Sequence, residues 1–193
     1  MNMWLDSLKN GFELYLKAAP LALIITFGFI YVKKTTFNIL QLIGIQCLLL
    51  YIFCLVEVVL FPLPDAEMIA AMNGYSGQYI PFRFVSDILR EKTLKSVLQV
   101  LFNILMTVPF GFFLKFFLNV KRKNVILLTF LLSLVIEIMQ LTGLFFIFPG
   151  SYRLFDVDDL MLNTLGGFAG TVLSNYICGL LPDIHSYDIV LQS

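Results

Sequence analysis

Five apolar stretches decide what this chain is able to become. They lie near residues 18–32, 39–61, 96–118, 125–147 and 160–182. Each is close to the length that crosses a hydrocarbon layer of about 30 Å. Lipid offers no partner to a backbone N–H or C=O, so a lone spanning segment must satisfy its own hydrogen bonds as a helix. The expectation is an all-α integral membrane bundle of about five transmembrane helices with short interfacial helices. Residues 1–193 form a single membrane domain with an outer loop at 62–95. The first span is short and preceded by Trp4, Leu8, Phe12 and Tyr15 at helical spacing. Residues 4–17 therefore read either as an interfacial amphipathic helix or as the start of that span.

Composition agrees. Of the 193 residues, 59% are hydrophobic and only 13% charged, against roughly 25% charged in a soluble domain. A formal net charge of zero argues against nucleic acid as a partner. Cys47, Cys54 and Cys178 all lie inside apolar runs and read as buried free thiols. The one histidine, His185, lies in the polar tail, and no zinc or phosphate-loop pattern occurs. No cofactor and no metal is expected. The first 17 residues carry Asp6 and Glu13 and do not read as a cleavable leader.

Short basic joins set the expected orientation. Lys33 and Lys34 separate the first two spans; Lys115, Lys121, Arg122 and Lys123 flank the third join, and neither join holds an acid. Basic short loops stay cytoplasmic. The N-terminus is expected outside and the C-terminus inside a multi-pass cell-membrane protein. In the outer loop, Pro62, Pro64, Gly74, Gly77 and Pro81 interrupt regular structure. Phe84, Val85, Ile88 and Leu89 oppose Asp87, Arg90 and Glu91 on a short surface helix.

Polar groups inside the spans are the functional signal, because they are costly at membrane depth. Gln99, Asn103, Thr107 and Gly111 share a face of span three, where Pro109 should kink the helix and free the Leu105 carbonyl, with Thr107 near enough to help satisfy it. Asn103 alone also reads as simple interhelical glue. Glu137 and Gln140 share a face of span four with Ser133, and Glu137 is expected about 15 Å below the outer boundary. Glu57 reads as a side chain that snorkels to the headgroups. Arg153, Asp156 and Asp159 stand at the mouth of span five. At about 100° per residue, Asp156, Asp159, Asn163, Gly167 and Gly170 fall on one stripe. Asp158 falls opposite, so its replacement is expected to be mild. Gly166, Gly170 and Ser174 form a packing ladder that brings the stripe against spans three and four. Asn103, Glu137, Gln140, Arg153, Asp156, Asp159 and Asn163 are expected to converge on a pocket open to the outer leaflet.

In these pieces the chain resembles the VanZ-like family of small bacterial membrane proteins. The likeness rests on YIPF at 79–82, Asn103 with PFG at 109–111, Glu137 with Gln140, and RLFDVDDLMLNTLGGFAG from Arg153, over roughly residues 75–175. It places Pro81, Phe82, Asn103, Pro109, Gly111, Glu137, Gln140, Arg153, Asp156, Asp159, Asn163, Gly167 and Gly170 on motif positions, with Asp158 and Gly166 a looser fit. The resemblance implies a place in the bacterial cell envelope and a link, through the member that names the family, to teicoplanin resistance. It implies no defined reaction. The leading expectation is a protein that binds an amphiphile, such as a lipid-linked wall precursor or a lipoglycopeptide, in an outer-leaflet pocket. One alternative is an enzyme acting on a lipid phosphate, with a divalent cation held by Glu137, Asp156 and Asp159. Another is a proton-coupled transporter built on Glu137.

Overall fold

A computed structural model describes residues 2–33, 39–61, 63, 66–71, 77–151 and 153–180. Lys34, Pro62, Pro64, Gly74 and His185 lie outside the described residues. The elements are α1 (Asn2–Lys33), α2 (Ile39–Leu60), α3 (Ala66–Ala71), α4 (Arg83–Glu91), α5 (Leu94–Phe116), α6 (Arg122–Leu141), α7 (Gly143–Phe146) and α8 (Val157–Leu180). No strand occurs among the described residues. A single parallel bridge joins Gln78 to Asp156.

Among the described residues, four helices are long and apolar enough to span a bilayer: Leu5–Gly28 within α1, Leu40–Leu60 within α2, and α5 and α6 in full. The expected fifth span, α8, has the length but not the composition. Its Asp158, Asn163, Gly166, Gly167, Gly170, Thr171 and Ser174 are buried. They face protein rather than lipid, and a helix wrapped by neighbours needs less apolar surface. The N-terminal alternative is also decided. Residues 2–33 form one unbroken helix that contains Pro20, and its spanning part begins at Leu5. It lies along α2: Gly11 faces the backbone at Cys54, where a Cβ would sit 2.7 Å from the Cα. Tyr15 Oη donates to Gln46 Oε1 at 3.3 Å.

The bundle is organised around α8, which packs on α5 and, less extensively, on α6. Glycine makes this approach feasible. A Cβ on Gly166 would strike the Ile104 carbonyl, one on Gly170 the Val108 carbonyl, and one on Gly111 the Gly167 carbonyl. On the other side, Gly167 takes the Thr129 side chain of α6. Pro109 lies within α5, which stays continuous around it. Thr107 does not serve the Leu105 carbonyl. Its hydroxyl donates across the interface to the Asn163 carbonyl at 2.6 Å and locally to Ile104 O at 3.3 Å. Away from this seam the outer faces carry lipid-type side chains, among them Leu101, Leu105, Leu127 and Val135, all exposed.

Two boundaries differ from expectation for a local reason. The stretch 125–147 breaks early, because α6 stops at Leu141. Thr142 caps the next turn by accepting from Phe145 N at 3.1 Å. Gly143, Leu144, Phe145 and Phe146 then wind left-handed, with φ of 63°, 57°, 56° and 69°. So α7 is a single turn of opposite hand, a conformation costing roughly 1–2 kcal/mol per non-glycine residue. A Cβ at Gly143 would meet the Gly150 carbonyl at 2.5 Å. The turn pushes Phe145, Phe146 and Ile147 outward, all three exposed.

Candidate functional site

Antiparallel packing brings the C-terminal end of α2, the N-terminal half of α5, the C-terminal end of α6, residues 153–156 and the first turns of α8 to one end of the bundle. A cavity of about 690 Å³ opens there. Asn103, Glu137, Gln140, Arg153, Asp156, Asp159 and Asn163 all line it. The rest of its wall is mostly apolar, including Val58, Leu98, Phe102, Met106 and Ile136. Gln99 and Lys95 complete the polar part.

Several of these polar groups are held by specific partners. Glu137 is 2% exposed and accepts from the Asp156 backbone N–H at 2.9 Å. Because α6 ends at Leu141, Glu137 lies only four residues from the helix end, about 6 Å rather than the expected 15 Å. Gln140 donates to the Val59 carbonyl at 3.2 Å, near the open end of α2. Asn103 Nδ2 donates to Asp159 Oδ1. Asn163 Nδ2 donates to Ser133 Oγ at 2.8 Å.

Arg153 does more than the sequence suggested. Its guanidinium reaches the last turn of α2, donating to the Val58 carbonyl at 3.5 Å and the Phe61 carbonyl at 3.3 Å. A cation at a helix C-terminus satisfies orphan carbonyls and meets the negative end of the macrodipole. Arg153 therefore ties α2 to the site as well as lining the cavity.

Asp158 overturns its expectation. It does turn away from the main cavity, but it is buried at 3% exposure. Its carboxylate accepts from Phe82 N at 2.6 Å and Phe84 N at 2.8 Å. Gln78 Nε2 lies at 3.3 Å. Phe82 itself is left-handed, φ 64°, so the carboxylate supplies the cap that this residue's own side chain does not. Asp158 is the clasp between the 78–84 segment and α8. Charge-assisted bonds of this type are worth about 1.5–3 kcal/mol each.

Gln78 was missed entirely. It donates from Nε2 to Asp156 Oδ1 at 3.3 Å and to the Ile80 carbonyl at 2.7 Å, while its backbone pairs with Phe155 O at 2.7 Å and Val157 N at 3.0 Å. A single glutamine in a loop carries no periodic signal. Glu57 also departs from expectation: it is buried at 5% exposure rather than reaching the headgroups.

Burial raises the carboxyl pKa of Asp156, which lies in the loop before α8; the Asp158 backbone N–H opposes that rise, and the Asp158 charge adds to it. No group of three or more His, Cys, Asp or Glu side chains among the described residues is placed to hold a metal ion.

A polytopic helical membrane protein with a polar recess at one end of the bundle is the class this architecture defines. Residues 48–178 match the family described as VanZ/LLP1. The chain belongs to that family, and the match reaches further back, into α2, than the motifs alone indicate. No curated protein and no solved structure matches it.

Proposed function

We propose that the cavity binds the head of a membrane amphiphile drawn from the outer leaflet of a bacterial cell envelope. One observation carries this reading: seven polar residues from separate elements, spread over sixty positions of sequence, share one recess whose other walls are apolar. A purely structural polar cluster tends to close on itself; this one leaves about 690 Å³ of space. Sites for small molecules combine a mainly apolar lining with a few convergent polar groups. Val58, Leu98, Phe102, Met106 and Ile136 suit an acyl or prenyl chain. A lipid-linked wall precursor and a lipoglycopeptide of the teicoplanin type both have the required shape.

The orientation follows from charge. Lys115, Lys121, Arg122 and Lys123 gather where α5 ends and α6 begins, at the end opposite the cavity. Holding that basic end in the cytoplasm points the cavity outward.

The test is ligand retention. Protein purified in lipid nanodiscs is expected to keep a co-purifying amphiphile, detected by native mass spectrometry. Glu137→Ala and Asp159→Ala should lose it while membrane abundance stays unchanged. Retention in both variants would remove the cavity from the account, and loss of abundance instead would make these residues part of the fold.

A further inference from the structure

Within this cavity the polar groups are not evenly distributed. The cationic side chains belong to its loop end: Lys95 is the second residue of α5 and exposed, and Arg153 is engaged with the carbonyls that end α2. Asn163 lies six residues into α8, roughly 9 Å deeper. It is 2% exposed. Its Nδ2 is committed to Ser133, yet its Oδ1 is buried and has no hydrogen-bond partner. A buried acceptor left unpaired costs about 1–3 kcal/mol, and native structures rarely leave one so. The carboxylates Glu137, Asp156 and Asp159 share the same cavity. Three acids to two bases, with one of those bases spent on a helix terminus, give the interior more acceptor oxygens than cationic donors.

We propose that the deep end of the cavity is an ammonium site: Asn163 Oδ1 accepts one N–H, and the Glu137 and Asp159 carboxylates supply the compensating charge. An ammonium is all donor. It fits a lining whose unused capacity is acceptor. This inference rests on the amphiphile-binding reading and narrows it. The chain occupant carries a primary amine on its head. Any phosphate or carboxylate of the same molecule sits toward Arg153 and Lys95.

The experiment compares three probes with one tail: dodecylammonium, dodecanol and dodecyl phosphate, titrated into the purified full chain in maltoside micelles. The readout is the thermal midpoint, since a ligand that binds only the folded state raises it by mass action. Dodecylammonium should bind at least tenfold more tightly than either of the others. Met106→Trp, which fills the apolar part, should abolish the response to all three. Asn163→Asp should tighten dodecylammonium, and Glu137→Gln should weaken it about tenfold with little effect on dodecanol. Equal affinity for all three probes, each lost in Met106→Trp, would overturn the ammonium site and leave the amphiphile reading standing. No response to any probe, or a response untouched by Met106→Trp, would overturn both. Weaker dodecylammonium binding in Asn163→Asp would show that the amide presents its donor rather than its acceptor to the cavity, and would also overturn the site.

Discussion

At the scale of single residues, neighbours on one helical turn have opposite duties. Asp159 faces the cavity and Asn103; Asp158 faces the 78–84 segment. The phasing of α8 was legible because 3.6-residue periodicity needs only the local sequence. The duty of Asp158 was not, because its partners Phe82 and Phe84 stand 76 and 74 residues away. A longer separation, 95 and 92 residues, hid the grip of Arg153 on the end of α2. Asp158→Asn should therefore be harmful. It removes the charge from two charge-assisted bonds and should release the segment before α4, seen as faster proteolysis between Gln78 and Glu91 at unchanged temperature. A cleavage rate equal to that of the parent would deny the clasp. Asp156 gives the pH prediction. Its folded-state pKa is raised, so the protonated form is favoured by folding; its contribution is complete below the ordinary aspartate range and is lost as pH rises through the raised value. Asp156→Asn keeps an acceptor for Gln78 and the Asp158 N–H. It should flatten the fall of the thermal midpoint across that window, and an unchanged slope would assign the dependence elsewhere.

The elements tell where hydropathy works as a guide and where it fails. It located α2, α5 and α6, whose outer faces meet lipid. It overstated α8, whose polar and glycine positions are turned inward. It also ran span four six residues too far. The left-handed turn Gly143–Phe146 is built from a glycine, a leucine and two phenylalanines, and only the glycine favours that conformation. Apolar content kept the stretch looking like a helix. The packing ladder was legible in Gly166 and Gly170, yet which neighbour each glycine meets was not. Gly170→Leu should force α8 off the Val108 and Phe112 backbone of α5. Overpacking of this kind costs about 1–3 kcal/mol or more. The expected result is a lower thermal midpoint in detergent and reduced membrane abundance. Gly179→Leu, where a Cβ meets nothing within 4 Å, should leave both unchanged. Equal behaviour of the two variants would contradict the seam.

On the scale of the whole molecule, the chain is polarised end to end. Carboxylates, amides and the cavity occupy one end of the bundle; Lys115, Lys121, Arg122 and Lys123 occupy the other. The aromatic cluster of Phe112, Phe113, Phe116 and Phe117 with Ile177 and Cys178 packs toward that basic end. In the proposed orientation the cavity end lies outside and the basic end in the cytoplasm. In intact cells, a cysteine at Phe146, 83% exposed beside the cavity end, should react with an impermeant thiol reagent. A cysteine at Lys121 should react only after permeabilisation. The reverse pattern would turn the protein over and place the cavity on the cytoplasmic leaflet.

Photo-crosslinking tests the shared recess most directly. A dodecylammonium probe with a diazirine next to its head, irradiated on the purified chain and mapped by peptide mass spectrometry, should mark Phe102, Met106 and Ile136. Glu137→Gln should diminish that labelling. Marks confined to outward-facing positions such as Leu101, Leu105 and Leu127, unchanged in the variant, would mean that the amphiphile merely coats the bundle and that the polar residues serve packing alone.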